Sequence, residues 1–361
     1  MRAIEFFSGI GAFAEATRNC EIEVVAAFDQ NSAANSVYAH NFSLQPYSRN
    51  LDTIKLDDIP PADLWWLSPP CTPFSVRGKQ RGLNDPRAVS FLNLITLART
   101  ATPQYVLIEN VLGFRDSPAL DQAKLKLEPL GYYFIQHNLC STQFGVPMRR
   151  PRHFVVACRR AGARERVTLG NADLQPAFEH ASGNAAFEHQ MPPGWRRSQA
   201  GSASGTADLR PAFEHAPGSA GFQPASSGSS PNPERKMQLR DFLSDDSDDL
   251  FLPNEVMSRY ERGFDIVDPS EPEAELICFT KNYERCMRAS GSLIRTKSGT
   301  RRVSPEEILK LLGFSDRFCF PDQISRSLRW RLVGNSVDVR AIKFILSSIG
   351  VIASEKALVE R

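Results

Sequence analysis

The sequence lacks several features that would place it directly in a common class of protein. Its seven cysteines include no CxxC spacing, which argues against a disulfide framework and against a structural zinc site. No apolar run reaches the length of about 18 residues that crosses a membrane. The first residues, MRAIEFFSGIGAF, do not have the composition of a signal peptide. We therefore expect a soluble protein of the reducing cytoplasm, with no metal and no membrane contact.

The sequence also lacks an excess of charge of either sign. Its 43 Lys and Arg side chains nearly balance 41 Asp and Glu side chains among 361 residues, so the net charge does not indicate a nucleic-acid partner. Apolar residues make up 42% of the chain, which is enough for a substantial core. Any basic surface must therefore arise from the local arrangement of charges.

One internal segment lacks the residues from which cores are built. Residues 168–233 contain no Val, Ile, Tyr, Lys or Cys and are rich in Gly, Pro, Ala and Ser. They include an internal duplication, DLQPAFEHASG and DLRPAFEHAPG, without the apolar faces that would stack in a solenoid. We predict a disordered insertion. We assign no metal to its histidines, because no second ligand type lies at fixed spacing; they are His180, His189 and His215.

Short apolar runs alternate with amphipathic segments along the first 160 residues. The predicted strands are AIEFF, VVAAF, LWWLS, YVLIEN, YYFIQHNL and HFVVAC. This alternation is typical of a Rossmann-like α/β fold with a mostly parallel sheet and helices on both faces. Ligands of such folds bind beyond the carboxyl ends of the strands. The late segment SVDVRAIKFILSSIGVI has the apolar spacing of a final helix.

The first predicted strand ends in a glycine turn that suits a cofactor. Gly9 and Gly11 allow close approach of a ligand to the backbone before the helix AFAEATRN, and Asp29 ends the second strand about 20 residues later. An acid at this distance commonly binds ribose hydroxyls. The turn does not match GxGxxG, so a nucleoside-containing cofactor is favoured over a dinucleotide.

Polar and reactive side chains follow three other predicted strands. In LSPPCTPF, two prolines end a strand and present Cys71 in a stiff conformation, although a free cysteine is most often a small core residue. Glu109 ends the strand YVLIEN, while Arg150 and Arg152 alternate in MRRPRHFVV and are expected on one face. A helix cap for Glu109 and a solvated strand edge for the arginines are the structural alternatives.

Five motifs in order, FFSGIGAF, SPPC, ENV, RRPR and LVGNSV, resemble those of the cytosine-C5 methyltransferase family. The stretch ICFTKNYERCMRASGSLIRT resembles the branch that methylates a tRNA anticodon-loop cytosine, historically called DNA methyltransferase 2. The resemblance implies an S-adenosylmethionine-dependent methyltransferase domain formed by residues 1–167 and 330–361. It also implies a smaller target-recognition domain at 234–329. Methyl transfer to tRNA cytosine 38 is the expected activity.

The resemblance also implies a mechanism. The Cys71 thiolate adds to carbon 6 of cytosine, which makes carbon 5 nucleophilic enough to take the methyl group. Glu109 stabilises the ring through N3, and Arg150 and Arg152 supply positive charge. Loss of the carbon-5 proton then expels Cys71.

The remaining site residues follow from the same resemblance. The cofactor-binding set is Phe7, Gly9, Gly11, Asp29, Gln30, Asn50, Leu51, Asn335 and Ser336, the last two at the start of the final helix. The substrate-binding set is Ser68, Pro70, Asn110, Cys278, Phe279 and Thr280. Arginines between 149 and 166 are candidate phosphate contacts. Thr72 departs from the glutamine that often follows the family's nucleophile.

Three alternatives to a tRNA methyltransferase stay open at this point. The same chemistry on duplex DNA is the first, although 234–330 is short for a DNA-recognition domain. A silent cofactor- and RNA-binding module is the second, and a nicotinamide dehydrogenase is the third. We expect a monomer in each case.

Deletion of residues 168–233 is expected to leave cofactor binding intact, because a segment without a core contributes little to the packing of the rest. Calorimetric titration with S-adenosylmethionine compares the shortened and the full chain. Deletion of residues 237–243, MQLRDFL, where order is predicted to resume, is the control that should impair folding. Loss of folding in the first deletion would contradict the prediction.

Overall fold

The computed structural model describes residues 1–70, 88–159, 236–244, 247–286 and 288–352. The predicted nucleophile Cys71, the neighbouring Thr72 and the predicted insertion at 168–233 lie outside these residues. Within the described ranges, no helix combines the length and apolar character that crossing a membrane requires. The same ranges contain no group of three His, Cys, Asp or Glu side chains that could hold a metal ion.

The described part of the first half of the chain supplies seven strands. They are β1 (Arg2–Phe6), β2 (Glu23–Phe28), β3 (Leu64–Leu67), β4 (Tyr105–Asn110), β5 (Tyr132–Leu139), β6 (Met148–Arg149) and β7 (Arg152–Arg159). Six of them form one sheet in the order β2-β1-β3-β4-β7-β5. Neighbours from β2 to β4 are parallel, whereas β7 is antiparallel to β4 and β5. All six predicted strands and the mostly parallel α/β fold are therefore confirmed.

Helices cover both faces of this sheet. They are α1 (Ala12–Thr17), α2 (Ser32–Asn41), α3 (Val89–Ala101) and α4 (Pro118–Leu127). Successive side chains of a strand point to opposite faces, and the adjacent Trp65 and Trp66 of β3 enter two different cores. Trp65 shares one core with Phe91 and Phe114, whose rings meet edge to face at 5.6 Å. Trp66 stacks on Phe13 of α1 at 5.2 Å in the other.

Among its described residues, the second half of the chain adds short strands and four α-helices. They are α5 (Asn254–Tyr260), β8 (Ile266–Val267), β9 (Leu276–Ile277), β10 (Leu293–Thr296), β11 (Gly299–Arg302), α6 (Pro305–Leu311), α7 (Arg326–Asn335) and α8 (Val339–Ser348). Helix α8 confirms the predicted final helix. Strand β9 pairs in parallel with β6, and residues of both halves share one apolar core. Met1–Thr168 and Pro231–Arg361 form one compact unit, so the boundary between catalytic and recognition domains stays a prediction.

A buried ion pair anchors the second half. Arg301 of β11 donates two hydrogen bonds to Glu307 of α6, at 3.0 and 2.9 Å, and the two side chains are 3% and 1% exposed. The backbone amides of Ser244 and Ser304 donate to the same carboxylate at 2.9 and 2.8 Å. The acid is therefore surrounded by donors that compensate for the loss of water.

Arg301→Ala is expected to lower the free energy of unfolding by about 3–5 kcal/mol, because it leaves the buried carboxylate of Glu307 without its cation. Urea denaturation measures the change. The control is Arg295→Ala, which removes the exposed pair with Glu261 at 3.6 Å and should cost about 0–1 kcal/mol. Equal losses in the two variants would contradict this account.

Candidate active site

Three strand ends bring polar side chains together around Glu109. The hydroxyl of Ser68, just after β3, donates to Oε2 of Glu109 at 2.5 Å. Nε of Arg152, at the start of β7, lies 3.2 Å from Oε1 of the same carboxylate, whose side chain is 6% exposed. Both oxygens of Glu109 are thus engaged by donors. Such an arrangement fixes the direction of the carboxyl group.

The backbone just before Cys71 is hydrogen-bonded to this site. The side-chain amide of Asn110, which follows Glu109, donates to the carbonyl of Pro69 at 2.9 Å. Pro70, the last described residue before Cys71, is exposed. The structure therefore fixes the backbone two residues before the predicted nucleophile, directly beside the acid.

Arg150 and Arg152 both lie near Cys278, whose sulfur accepts from Nη1 of Arg150 at 3.1 Å and whose pKa both charges lower, but their other partners differ. Arg152 binds Glu109. Arg150 is 3% exposed and donates to backbone carbonyls of Phe279, at 2.8 Å, and of Gly334 and Ser336. Of the two, Arg152 is placed to act on the acid, and Arg150 is placed to join distant segments.

The glycine turn after β1 is bound to the end of β2. Asp29 accepts the amide of Gly9 at 2.8 Å with one oxygen and the amide of Asn31 at 2.8 Å with the other. Burial raises the pKa of Asp29, and these two hydrogen bonds oppose the shift. Phe7 and Gly9 have φ angles of 58° and 55°, in the left-handed region. The turn is therefore held in an unusual conformation by an acid that also faces the predicted cofactor position.

The two glycines of the turn serve different purposes. A Cβ placed on Gly9 would meet no atom within 4 Å, so this position leaves room for a ligand. A Cβ on Gly11 would lie 2.5 Å from Cε2 of Phe42 and 2.9 Å from Cδ2 of Tyr38. The packing of α2 against α1 therefore requires glycine at position 11. The space beside this glycine is filled by aromatic rings and is not available to a cofactor.

Two further predicted cofactor residues meet beside Asp29. The side-chain amide Nε2 of Gln30 donates to Oδ1 of Asn50 at 3.1 Å, and both side chains are exposed. Leu51 is buried at 2% exposure, and its carbonyl accepts from Asn93. The segment after β2 and the segment at 50–51 thus form one edge of the predicted site.

The LVGNSV motif does not begin the final helix, so that part of the prediction is wrong. Helix α7 ends at Asn335, and Asp338 caps α8 by accepting the amide of Arg340 at 3.0 Å. Asn335 is exposed, whereas Ser336 is buried and its hydroxyl has no hydrogen-bond partner among the described residues. A buried hydroxyl without a partner is a candidate ligand contact.

Of the predicted substrate contacts Cys278, Phe279 and Thr280, the second needs correction, while the other two are partly exposed and stay predictions. Phe279 is 1% exposed and packs edge to face on Tyr283 at 4.8 Å, so its ring is a core residue that offers no surface to a substrate. A Cβ on Gly334 would lie 2.4 Å from the carbonyl carbon of Thr280. This stretch therefore packs closely on the end of α7.

One acid near the cofactor turn has no counterpart in the sequence-based prediction. Glu5 of β1 is fully buried, and its Oε1 accepts the amide of Ala14 in α1 at 2.5 Å. Burial raises the pKa of Glu5 to about 8, with a smaller contribution from Asp29. The sequence does contain a signal for Glu5, because it is a single carboxylate in the otherwise apolar strand AIEFF.

The family model for C-5 cytosine-specific DNA methylase matches residues 1–351. The chain belongs to this family. It is similar to a tRNA (cytosine(38)-C(5))-methyltransferase of Homo sapiens, with 30% identity over 95% of this chain and 97% of the relative. It is also similar to a DNA (cytosine-5)-methyltransferase of Dictyostelium discoideum, with 25% identity over 96% of this chain and 93% of the relative.

A solved structure of the S. pombe Dnmt2 methyltransferase has the same fold, with a TM-score of 0.69, 22% identity and coverage of 97% and 98% of the two chains. The match of the family model agrees with the resemblance of the five motifs. Membership of the C-5 cytosine methylase family makes the chain a cytosine-C5 methyltransferase and confirms the predicted class of enzyme.

Gly11→Ala is expected to lower the free energy of unfolding by about 2–4 kcal/mol, because the added methyl group meets two aromatic rings at a positive φ. Gly9→Ala should cost only about 1–2 kcal/mol, since it has the strained φ but no clash. Urea denaturation of both variants tests the difference. A Gly9 variant as unstable as the Gly11 variant would show that the space at Gly9 is not open.

Proposed function

We propose that this enzyme transfers a methyl group from S-adenosylmethionine to carbon 5 of an anticodon-loop cytosine in tRNA, through an adduct between Cys71 and carbon 6. The observation that carries the proposal is the arrangement of Ser68, Arg152 and Glu109 at adjoining strand ends. Directed donors on the acid suit the activation of a pyrimidine ring, and Asn110 holds the backbone of Pro69, two residues before Cys71, beside them.

The residues around the glycine turn fit S-adenosylmethionine. The open space at Gly9 accommodates the methionine part, Asp29 stands where a ribose is bound, and Gln30 with Asn50 forms an exposed polar edge suited to adenine. The unpartnered hydroxyl of Ser336 offers a further hydrogen bond. When bound, the cofactor supplies an electrophilic methyl group on a sulfonium.

Each protein group in the reaction has one task. Cys71 adds to carbon 6 as a thiolate, which a positively charged surrounding favours. Glu109 shares a proton with N3 of the ring, which balances the negative charge that the addition of sulfur places there, and Arg152 and Ser68 keep its carboxyl group aimed at N3. Loss of the carbon-5 proton then breaks the bond between sulfur and carbon 6 and restores the thiolate.

The choice of tRNA rests on relatives and on surface charge. The human relative is named for cytosine 38 of tRNA. The ICFTKNYERC stretch packs against the end of α7 at Gly334. Lys281 and Arg285 of that stretch and Arg331 of α7 line a cavity of about 160 Å³, where three cations outnumber the single acid Glu284, and this excess of positive charge suits phosphate contacts. An anticodon-loop base is already partly unstacked, so flipping it costs less than opening a duplex.

The proposal also includes the cellular location, the oligomeric state and the macromolecular partner of the enzyme. We place it in the cytoplasm as a monomer, with tRNA as its macromolecular partner. Duplex DNA is the second candidate substrate, because the Dictyostelium relative is named a DNA methyltransferase.

Incubation with S-adenosylmethionine carrying a labelled methyl group is expected to label purified tRNA and not duplex DNA. Cys71→Ala should abolish labelling and leave the cofactor dissociation constant within about twofold, since the thiol acts only in the chemical step. Cys20→Ala, which changes a thiol at the end of α1, is the matched control and should keep full activity.

Two results would contradict the proposal. Strong labelling of DNA with none of tRNA would assign the enzyme to the second substrate. Full activity of the Cys71 variant would remove the proposed nucleophile.

A further inference from the structure

A buried amide on helix α2 joins two segments that border the predicted cofactor position. Asn35 is 3% exposed, and its Nδ2 donates to the backbone carbonyl of Asp29 at 2.8 Å and to Oγ of Ser48 at 2.9 Å. Asp29 follows β2, and Ser48 lies two residues before Asn50. One side chain of the helix therefore holds the end of a strand and a separate connecting segment at a fixed distance from each other.

The orientation of this amide follows from its partners. A backbone carbonyl only accepts hydrogen bonds, so the atom that faces the carbonyl of Asp29 must be the nitrogen of Asn35. The two hydrogens on that nitrogen serve the two bonds. The oxygen Oδ1 of Asn35 is buried and has no hydrogen-bond partner in the described part of the chain. A buried acceptor without a partner costs free energy, so the two bonds from the nitrogen must offset that cost.

The connecting segment lies beside β2 and faces solvent. Tyr47 is hydrogen-bonded through its amide and its carbonyl to the end of β2, at 2.8 and 3.2 Å. The next three residues, 48–50, are exposed, and Leu51 is the next buried side chain. The bond from Asn35 therefore fixes a stretch that apolar packing does not reach.

The two segments carry side chains that we assign to the cofactor. Asp29 lies on one of them, and on the other Asn50 accepts from Nε2 of Gln30 at 3.1 Å. The bond between Gln30 and Asn50 competes with water because both side chains are exposed, whereas the Asn35 side chain that donates the other two bonds is buried. The spacing of Asp29 and Asn50 therefore depends chiefly on Asn35.

We propose that Asn35 is a positioning residue of the cofactor site, whose amide sets the distance between the acid Asp29 and the polar edge at Asn50. Asn35 touches neither the cofactor nor the reacting atoms. This role rests on the proposed function, because only there do Asp29 and Asn50 bind the ribose and the adenine of S-adenosylmethionine. The two hydrogen bonds themselves belong to the enzyme without ligand.

Loss of this amide is expected to weaken cofactor binding and to leave the chemical step almost unchanged. Titration calorimetry should show that Asn35→Ala raises the dissociation constant of S-adenosylmethionine about 3–10-fold, which is the effect of one or two hydrogen bonds. With the cofactor saturating, kcat should stay within about twofold. The matched control is Asn41→Ala, which removes side-chain bonds to the carbonyls of Val37 and Cys319 from the same helix and should change neither quantity.

Ser48→Ala tests the same bond from an exposed position, where a substitution is least able to prevent folding. It should also weaken binding, and Asn35→Ala/Ser48→Ala should bind no more weakly than Asn35→Ala, because the bond between the two residues is already lost. Ser43→Ala, at an exposed serine before the connecting segment, is its control and should bind normally. Additive losses in the double variant, or normal affinity in both single variants, would overturn the proposal.

Amide hydrogen exchange, measured without ligand, separates this inference from the proposed function. The amides of Asp29 and Tyr47 should exchange faster in Asn35→Ala than in Asn41→Ala, because the two segments then separate more readily. Unchanged exchange would show that Asn35 does not hold the segments together, and faster exchange with unchanged cofactor affinity would remove its positioning role. If the unsubstituted enzyme does not bind S-adenosylmethionine, the proposed function fails, while the exchange still decides whether Asn35 joins the two segments.

Discussion

The carboxylate of Glu109 joins the ends of three neighbouring strands. It binds Ser68 after β3 and Arg152 at the start of β7, and it lies in β4 between them. The antiparallel strand β7 is what makes this possible, since its beginning meets the carboxyl end of β4. A parallel strand at the same place would present its carboxyl end there instead. Reversal of one strand thus places an arginine on the predicted catalytic acid.

Buried charges occur in both halves of the chain and have different partners. Arg301 meets a carboxylate that is also bound by two backbone amides, and this pair anchors α6. Arg150 meets backbone carbonyls and a thiol. The first arrangement is a structural anchor. The second lies beside the predicted active site, where Arg150 joins the backbone of Phe279 to that of Gly334 and Ser336.

Much of the fold could be predicted because strands of a parallel sheet are continuous apolar runs, and each of the six predicted runs became a strand. The partners of Arg150 could not, since Cys278 and Ser336 lie 128 and 186 residues further along the chain. The position of LVGNSV was wrong because Asp338, not the motif, caps α8. The motif match identified the family but did not show which of its residues pack in the core, as Phe279 does.

In the proposed reaction, Glu109 and Arg152 assist the addition of Cys71 to carbon 6 of a tRNA cytosine. A tRNA substituted with 5-fluorocytosine tests it most directly, because fluorine at carbon 5 cannot leave as a proton does and the adduct is trapped. With S-adenosylmethionine present, the enzyme should form a denaturant-resistant complex whose cross-linked peptide contains Cys71. Glu109→Gln should form this complex much more slowly. A complex linked through another cysteine, or no complex with an active enzyme, would contradict the account.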